Sequence, residues 1–128
     1  MSIYSHVMLG AKDIESSRRF YDAALGALGI DNMGKAGENA YLYGKAAPEF
    51  VVTLPVNGEP ACHANGGTLG FVAESRAQVR AFHDAGIANG GTDEGAAGPR
   101  PAIPNAYGAY LRDPVGNKIC AFCYAEGE

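Results

Sequence analysis

The hexapeptide RRFYDA at residues 18–23 returns as RAFHDA at residues 80–85, and this repetition decides the fold. Four of the six positions are identical, and the partners in all four pairs are equally far apart along the chain. The identical pairs are Arg18 and Arg80, Phe20 and Phe82, Asp22 and Asp84, and Ala23 and Ala85. A fixed separation of this kind is typical of a duplicated structural unit, so we expect two similar units of about sixty residues each.

Each hexapeptide lies within a helical pattern that has recognisable ends. Asp13 is a suitable N-cap for a helix over 13–28, because its carboxylate accepts hydrogen bonds from the first free amides. Gly29 marks the end of that helix. In the second unit Ser75 and Gln78 form a capping box, which predicts a helix from Ser75 onward. Apolar residues recur at three- and four-residue steps in both segments, so one face of each helix should pack against a core.

Strand-like segments surround each helix in the same order. In the first unit they are residues 3–9, 31–35 and 50–56, together with a strand that begins at 39–41. In the second unit they are residues 68–73, 90–93, a strand that opens at 105–107, and 118–124. One β-α-β-β-β unit buries little apolar surface alone. The pattern therefore predicts an α+β fold in which two paired βαβββ modules form one barrel-like sheet around a cavity, with the helices outside.

We expect residues 1–128 to form a single domain made of two repeats, over about 1–58 and 66–126. Two segments lack periodicity. Residues 57–67 are the expected linker between the repeats. Residues 95–105 form a stretch rich in glycine and proline, which is either a lid over the cavity or an exposed surface loop.

Composition excludes several classes of function. The chain has a formal net charge of −4 and no basic face, which does not suit nucleic-acid binding. Its apolar runs are far shorter than the ~20 residues that span a bilayer, so we expect no membrane partner. The first six residues lack the basic and apolar regions of a secretory signal. Three cysteines, an odd number, favour a reducing compartment, so we expect a cytoplasmic protein.

Two kinds of residue could carry chemistry. By strand alternation His6 shares a face with Met8, where it is either a metal ligand or proton carrier, or a hydrogen-bonded core residue. Cys120 and Cys123 match a C-x-x-C pattern, but residues three apart on a strand point to opposite faces. We therefore expect Cys123 to pack against the helices and Cys120 to face the cavity. Cys62 belongs to the linker.

Two longer segments resemble a known family. SHVMLGAKDIESSRRFYDAALGALGI at residues 5–30 and YGAYLRDPVGNKICAFCY at residues 107–124 are similar to the vicinal oxygen chelate superfamily. This group contains glyoxalase I, bleomycin-resistance proteins and extradiol dioxygenases. The resemblance covers nearly the whole chain, and the family fold it implies is the same pair of βαβββ modules.

The resemblance also implies a divalent-metal site, which this sequence keeps only in part. The first ligand position holds His6, and the equivalent strand of the second module holds Thr68. The position three residues after Gly-Asn, where relatives carry a glutamate, holds Cys120, and our best match for the fourth position is Thr53. Threonine is a poor ligand for a divalent ion. His6 and Cys120 could form half of a site for Zn, Ni, Fe or Mn, and the alternative is a metal-free protein.

The resemblance implies a small organic ligand in the cavity. The residues expected to line it are Met8, Tyr41, Tyr107, Tyr110 and Phe122. Arg100 and Arg112 could hold a carboxylate or phosphate. Two functions follow: a metal-dependent lyase, isomerase or oxygenase, or a metal-free binding protein that sequesters a drug, as bleomycin-resistance proteins do. Many relatives are homodimers, so we expect a homodimer whose modules pair either within one chain or between two.

Overall fold

The computed structural model describes residues 2–125, which form two helices and eight strands. The elements are, in chain order, β1 (Val7–Gly10), α1 (Ile14–Gly26), β2 (Asp31–Lys35), β3 (Ala40–Gly44), β4 (Pro48–Thr53), β5 (Leu69–Val72), α2 (Arg76–Ala88), β6 (Thr92–Pro99), β7 (Tyr107–Arg112) and β8 (Lys118–Cys123). The first sheet has the strand order β1-β4-β3-β2, and the second sheet has the order β5-β8-β7-β6.

The predicted duplication is visible in this topology. The first residue of β5 follows the first residue of β1 by the same number of residues that separates Arg18 from Arg80, and the same holds for their last residues. Helix α2 is related to α1 in the same way. In each sheet the first strand of the module runs parallel to the last, and the remaining pairs are antiparallel. The predicted α+β class with two βαβββ modules is therefore confirmed. Met1 and Glu126, the outer limits of the predicted repeats, lie outside the described residues.

Helix α1 begins where its sequence predicts and ends at Gly26, two residues before the predicted Leu28. The side chain of Asp13 accepts a hydrogen bond from the Glu15 amide at 3.3 Å. At the other end Gly29 adopts a φ of 77°, a left-handed conformation that glycine tolerates best. The amide of Ile30 then donates to the carbonyl of Leu25 at 3.0 Å, which satisfies one of the free carbonyls of the last turn.

Helix α2 carries the expected capping box. The Gln78 amide donates to Ser75 Oγ at 3.1 Å. In return, Gln78 Oε1 accepts from the amide of Glu74 at 2.8 Å. The exchange satisfies two amides that have no partner inside the helix.

Both helices contribute to one buried core. Helix α1 packs on the first sheet, α2 packs on the second sheet, and the helices also contact each other. The fully buried side chains include Phe20 and Tyr21 of α1, Phe82 of α2 and Leu111 of β7. Within residues 2–125 no strand of one sheet is hydrogen-bonded to a strand of the other, so the expected single barrel consists of two separate sheets in this chain. The sheet faces opposite the helices are turned outward, and Met8 and Val72 there are 55% and 74% exposed.

Strand β1 is shorter than the residues 3–9 that alternation predicts. It begins at Val7, which pairs with Phe50 of β4. Strand β4 itself begins at Pro48, so the residues before Val7 have little strand left to pair with. Ile3 is accordingly 91% exposed.

The prediction of an irregular segment over 95–105 is wrong for its first half. Residues up to Pro99 belong to β6 and pair with β7, with register shifts next to Gly95 and Gly98. These bulges accommodate glycines that the sequence alone suggested were loop residues. The guanidinium of Arg100 donates to the carbonyls of Ala96 and Gly98, both at 3.0 Å, and fastens the end of the strand. The irregular segment is therefore limited to residues 100–106.

None of the helices within residues 2–125 is long and apolar enough to cross a membrane.

Candidate functional site

A cleft of about 670 Å³ lies between the two modules. Strands β1 and β5 stand at the edges of their sheets, and residues of both strands line the cleft. Its lining includes His6, Glu49, Phe50, Thr68, Phe71 and Val72. The structure thus brings two of the residues proposed as metal ligands, His6 and Thr68, to the same opening.

His6 lies immediately before β1 and is exposed. Its Nδ1 is 2.9 Å from the hydroxyl of Ser5, which is the hydrogen-bond partner of the ring. The carboxylate-bearing residue that lines the same cleft is Glu49, at the start of β4. His6 is therefore at the surface, not in the hydrogen-bonded core that the sequence allowed as an alternative.

Cys120 lies on the outer face of the second sheet, the face turned away from α2. It pairs with Gly70 of β5 and with Tyr110 of β7. A Cβ atom at residue 70 would be 3.3 Å from the Cys120 Sγ, so the glycine leaves room for the thiol. Burial raises the pKa of the Cys120 thiol to about 11, although Lys118 and Arg100 act in the opposite direction. The thiol is therefore protonated at neutral pH.

Cys123 lies on the opposite face of β8 and is 1% exposed. The two sulfurs of the C-x-x-C pattern thus diverge, as strand alternation predicts. Cys62 in the linker is exposed.

The strand registers identify which residue of the first module is equivalent to Cys120. In the first sheet Met8 pairs with Val51. In the second sheet Gly70, the counterpart of Met8 in the repeat, pairs with Cys120. By this register Val51 is the residue equivalent to Cys120, two residues before the Thr53 that the sequence match gave. Thr53 pairs with Gly10, and its hydroxyl donates to the carbonyl of Leu54.

The four positions do not fit a divalent metal ion. They hold His6, Val51, Thr68 and Cys120. Valine has no donor atom, threonine is a neutral and weak donor, and a thiol must lose its proton before it binds a metal. Within residues 2–125 no group of three or more His, Cys, Asp or Glu side chains is placed to hold a metal ion.

An aromatic row crosses the outer face of the second sheet. The rings of Tyr110 and Phe122 meet edge to face with centroids 5.7 Å apart, and Phe122 stacks on Tyr124 at 5.9 Å. The Lys118 Nζ lies 5.0 Å from the Tyr110 ring centroid, and the Arg100 Cζ lies 5.6 Å from it. Four residues that the sequence proposed for the site thus lie together: Arg100, Tyr110, Cys120 and Phe122. Met8 lies on the outer face of the first sheet.

Tyr41 and Tyr107 do not join this group, contrary to the sequence prediction. The Tyr41 hydroxyl donates to Glu15 of α1 at 2.8 Å. The Tyr107 ring lies 5.0 Å from the guanidinium carbon of Arg76 in α2. Both tyrosines stand on the faces of their strands that carry helices, because they alternate in phase with the buried Tyr43 and Leu111.

Arg112, proposed from the sequence to hold an anion, and His83 of α2 both have internal partners. Arg112 donates to Glu94 Oε1 at 2.9 Å and to the carbonyl of Gly116 at 2.9 Å. The ring of His83 lies 2.9 Å from Asp93 Oδ1, and this contact joins α2 to β6. Sequence reasoning missed Lys118, although it precedes Cys120 by two residues on β8 and shares its face by alternation.

Comparisons with known proteins agree with the fold and the sequence resemblance. A profile of the Glyoxalase/Bleomycin resistance protein/Dioxygenase superfamily matches residues 3–121. A glyoxalase/bleomycin resistance protein from Albidiferax ferrireducens T118 has a crystal structure that is 54% identical in sequence, with a TM-score of 0.86 over 95% of this chain and 98% of that chain.

More distant structures share the fold alone. A glyoxalase-related enzyme from Fulvimarina pelagi is 20% identical, with a TM-score of 0.72 over 95% of this chain and 88% of that chain. A lactoylglutathione lyase from Agrobacterium tumefaciens is 20% identical, with a TM-score of 0.65 over 96% of this chain and 95% of that chain. No protein with a curated function matches the chain in sequence. On the extent of the profile match and the identity to the Albidiferax protein, this chain belongs to the Glyoxalase/Bleomycin resistance protein/Dioxygenase superfamily.

Proposed function

We propose that the protein binds a small organic molecule without a metal ion, on the outer face of the second sheet. The observation that carries this proposal is the residue set at the four ligand positions, where Val51 has no donor atom, Thr68 is a weak donor and Cys120 is a buried thiol. Cys120 is buried and holds its proton, since the pKa of its thiol is raised to about 11. Two cations, Lys118 and Arg100, also lower the affinity of this face for a metal cation.

The aromatic row supports binding of an organic ligand. Tyr110 and Phe122 offer apolar ring surface, and Gly70, which pairs with Cys120, has no side chain to cover it. Sites for small molecules typically combine such aromatic walls with a few polar groups. The metal-dependent lyase, isomerase or oxygenase that the sequence also allowed needs ligands and a carboxylate base that these positions lack.

A homodimer is part of the same proposal. The outer faces carry large exposed apolar side chains, among them Met8 at 55%, Val72 at 74% and Tyr124 at 54% exposure. Exposed apolar groups near unpaired edge strands favour a protein contact. A second copy of the chain would cover these faces and turn the open second sheet into the wall of an enclosed cavity. All three cysteines are free thiols, which supports a reducing compartment such as the cytoplasm.

Elemental analysis and thermal unfolding test the proposal together. The protein is purified without added metal or chelator, its metal content is measured, and its melting temperature is recorded with a panel of aromatic compounds, with and without EDTA. We expect less than stoichiometric metal and ligand-induced stabilisation that EDTA does not change. Stoichiometric bound metal, or stabilisation that disappears with EDTA, would contradict metal-free binding. Sedimentation velocity should give a dimer, and a monomer at high concentration would contradict that part.

A further inference from the structure

We infer that the ligand carries a carboxylate on an aromatic body, and that Lys118 and Arg100 hold the carboxylate beside Tyr110. This inference rests on the proposed function and names the chemical class of the ligand at that site. It begins from the charges on the outer face of the second sheet, which the family resemblance does not assign to any role.

Three cations of the described residues lie on or next to this face, and within residues 2–125 only Arg112 has an acidic partner. Arg112 is paired with Glu94 at 2.9 Å. Arg100 donates to the carbonyls of residues 96, 98 and 99, which are uncharged acceptors. Among residues 2–125, no carboxylate lies within ion-pair distance of Arg100 or Lys118. Two positive charges thus have no acidic partner within residues 2–125, in a chain whose net charge is −4.

Both of these cations lie beside the ring of Tyr110. The Lys118 Nζ and the Arg100 Cζ lie 5.0 and 5.6 Å from the same point, the Tyr110 ring centroid. Both also act electrostatically on the thiol of Cys120, which pairs with Tyr110 across the strands. An anion beside this ring would be attracted by both positive charges. The pair is therefore complementary to a negatively charged group.

The position of Arg100 is fixed before any ligand arrives. Its guanidinium makes three hydrogen bonds to the backbone of its own segment, at 3.0, 3.2 and 3.0 Å. A charge that is already positioned loses less conformational freedom when a ligand binds. Lys118 has no hydrogen-bonded side-chain partner among the described residues, so its ammonium is available to donate directly to a carboxylate.

The surface next to the cations is aromatic. Phe122 meets Tyr110 edge to face at 5.7 Å, and Val72 of β5 pairs with Phe122 and is 74% exposed. A flat apolar body would cover Phe122 and Val72 while its carboxylate reaches Lys118. Cationic and aromatic groups side by side thus select an aromatic acid over a neutral or basic compound of the same shape.

Three probes of nearly equal shape test the charge of the ligand: 2-naphthoate, 2-naphthamide and 2-naphthamidine, which are anionic, neutral and cationic. Their dissociation constants are measured by NMR titration in EDTA. We expect naphthoate to bind about tenfold more tightly than naphthamide, which corresponds to one charge-assisted hydrogen bond, and naphthamidine to bind most weakly. Lys118→Met should weaken naphthoate binding about tenfold and leave naphthamide unchanged. Lys118→Arg should retain the preference, and Lys12→Met, on the other module, should match the wild type.

Equal affinity for naphthoate and naphthamide, an unchanged affinity in Lys118→Met, or no binding of naphthoate at millimolar concentration would each overturn the inference. Binding of naphthamide but not of naphthoate in EDTA would overturn the inference that the ligand is anionic, and it would still support metal-free binding. Binding of naphthoate only after zinc or nickel is added would overturn the proposed function itself.

Discussion

The hydroxyl of Tyr21 in α1 donates a 2.6 Å hydrogen bond to Oδ2 of Asp113, the first residue of the turn between β7 and β8. The Oδ1 atom of the same carboxylate accepts from the amides of residues 115, 116 and 117. Asn117 donates to Asp113 and to the carbonyl of Gly10, at 2.9 and 3.0 Å. The turn of the second module is therefore tied to the helix and first strand of the first module.

Removing the Tyr21 hydroxyl should destabilise the protein measurably. Tyr21 is 0% exposed, and removing its hydroxyl leaves the carboxylate of the buried Asp113 with one hydrogen bond fewer. We expect Tyr21→Phe to lower the free energy of unfolding by about 1–3 kcal/mol, measured by urea denaturation. The matched control is Tyr41→Phe, since the Tyr41 hydroxyl also donates to a carboxylate but at an exposed site. That change should cost less than about 0.5 kcal/mol, and equal effects would contradict a special role for the buried bond.

Substitution by alanine should change the free energy of unfolding in opposite directions at two helical glycines. A Cβ at Gly86 would lie 2.4 Å from Leu111 Cδ1 and 3.2 Å from Phe20 Cε1, because α2 approaches the second sheet and α1 closely there. Gly86→Ala should therefore lower the free energy of unfolding by about 1–3 kcal/mol. A Cβ at Gly26 meets nothing within 4 Å. Gly26→Ala should raise stability by up to about 1 kcal/mol, because alanine has the higher helix propensity.

Chemical denaturation of both variants checks this pair. A stable Gly86→Ala protein would show that the helix is free to shift away from Leu111. A destabilised Gly26→Ala protein would show that the end of α1 is more crowded than its surroundings indicate.

The cysteines should differ in reactivity and in their effect on stability with pH. Cys62 is exposed and should react with iodoacetamide in the native protein near pH 8, whereas Cys120 and Cys123 are buried and should stay unmodified. The pKa of Cys120 is raised to about 11 in the folded state, above the value of about 8.5 for an unfolded thiol. The unfolded state therefore loses its proton first as the pH rises, and stability should fall between about pH 9 and 11.

Mass spectrometry after alkylation identifies the modified residue, and Cys120→Ser should flatten the fall of stability in this pH window. Rapid modification of Cys120 near pH 8 would contradict a buried, protonated thiol.

The segment 95–99 should behave as strand. Hydrogen exchange measured by mass spectrometry should show slower exchange for amides of β6 that pair with β7 than for residues 101–105. Arg100→Lys keeps the charge but cannot make the same three bonds to the backbone carbonyls. We expect that variant to increase exchange across 96–106. Uniformly fast exchange of 95–105 in the wild type would instead support the lid that the sequence suggested.

The fold followed from the sequence because its signals were local and repeated. The hexapeptides, the Asp13 cap and the Ser75–Gln78 box each determine structure within a few residues, and the duplication made each module a check on the other. Strand β6 was underestimated because its glycines form bulges, and bulged strands look like loops in sequence.

The candidate site was less predictable because it depends on register. Val51 rather than Thr53 matches Cys120 only through the pairing of β1 with β4, which no short sequence pattern reveals. Tyr41 and Tyr107 were assigned to the wrong faces for the same reason, since a shift of one residue exchanges the two faces of a strand. His6, Met8, Arg100, Tyr110, Cys120 and Phe122 stay predictions as site residues.

Metal-free binding is the central claim, and isothermal titration calorimetry with zinc and nickel tests it most directly. The titration uses reduced protein carrying Cys62→Ser, so that the exposed linker thiol does not contribute, and the same protein carrying His6→Ala as the comparison. The account predicts that neither metal binds at one equivalent per chain and that both proteins give the same small heats. One equivalent of tightly bound metal in the first protein, lost on His6→Ala, would contradict it.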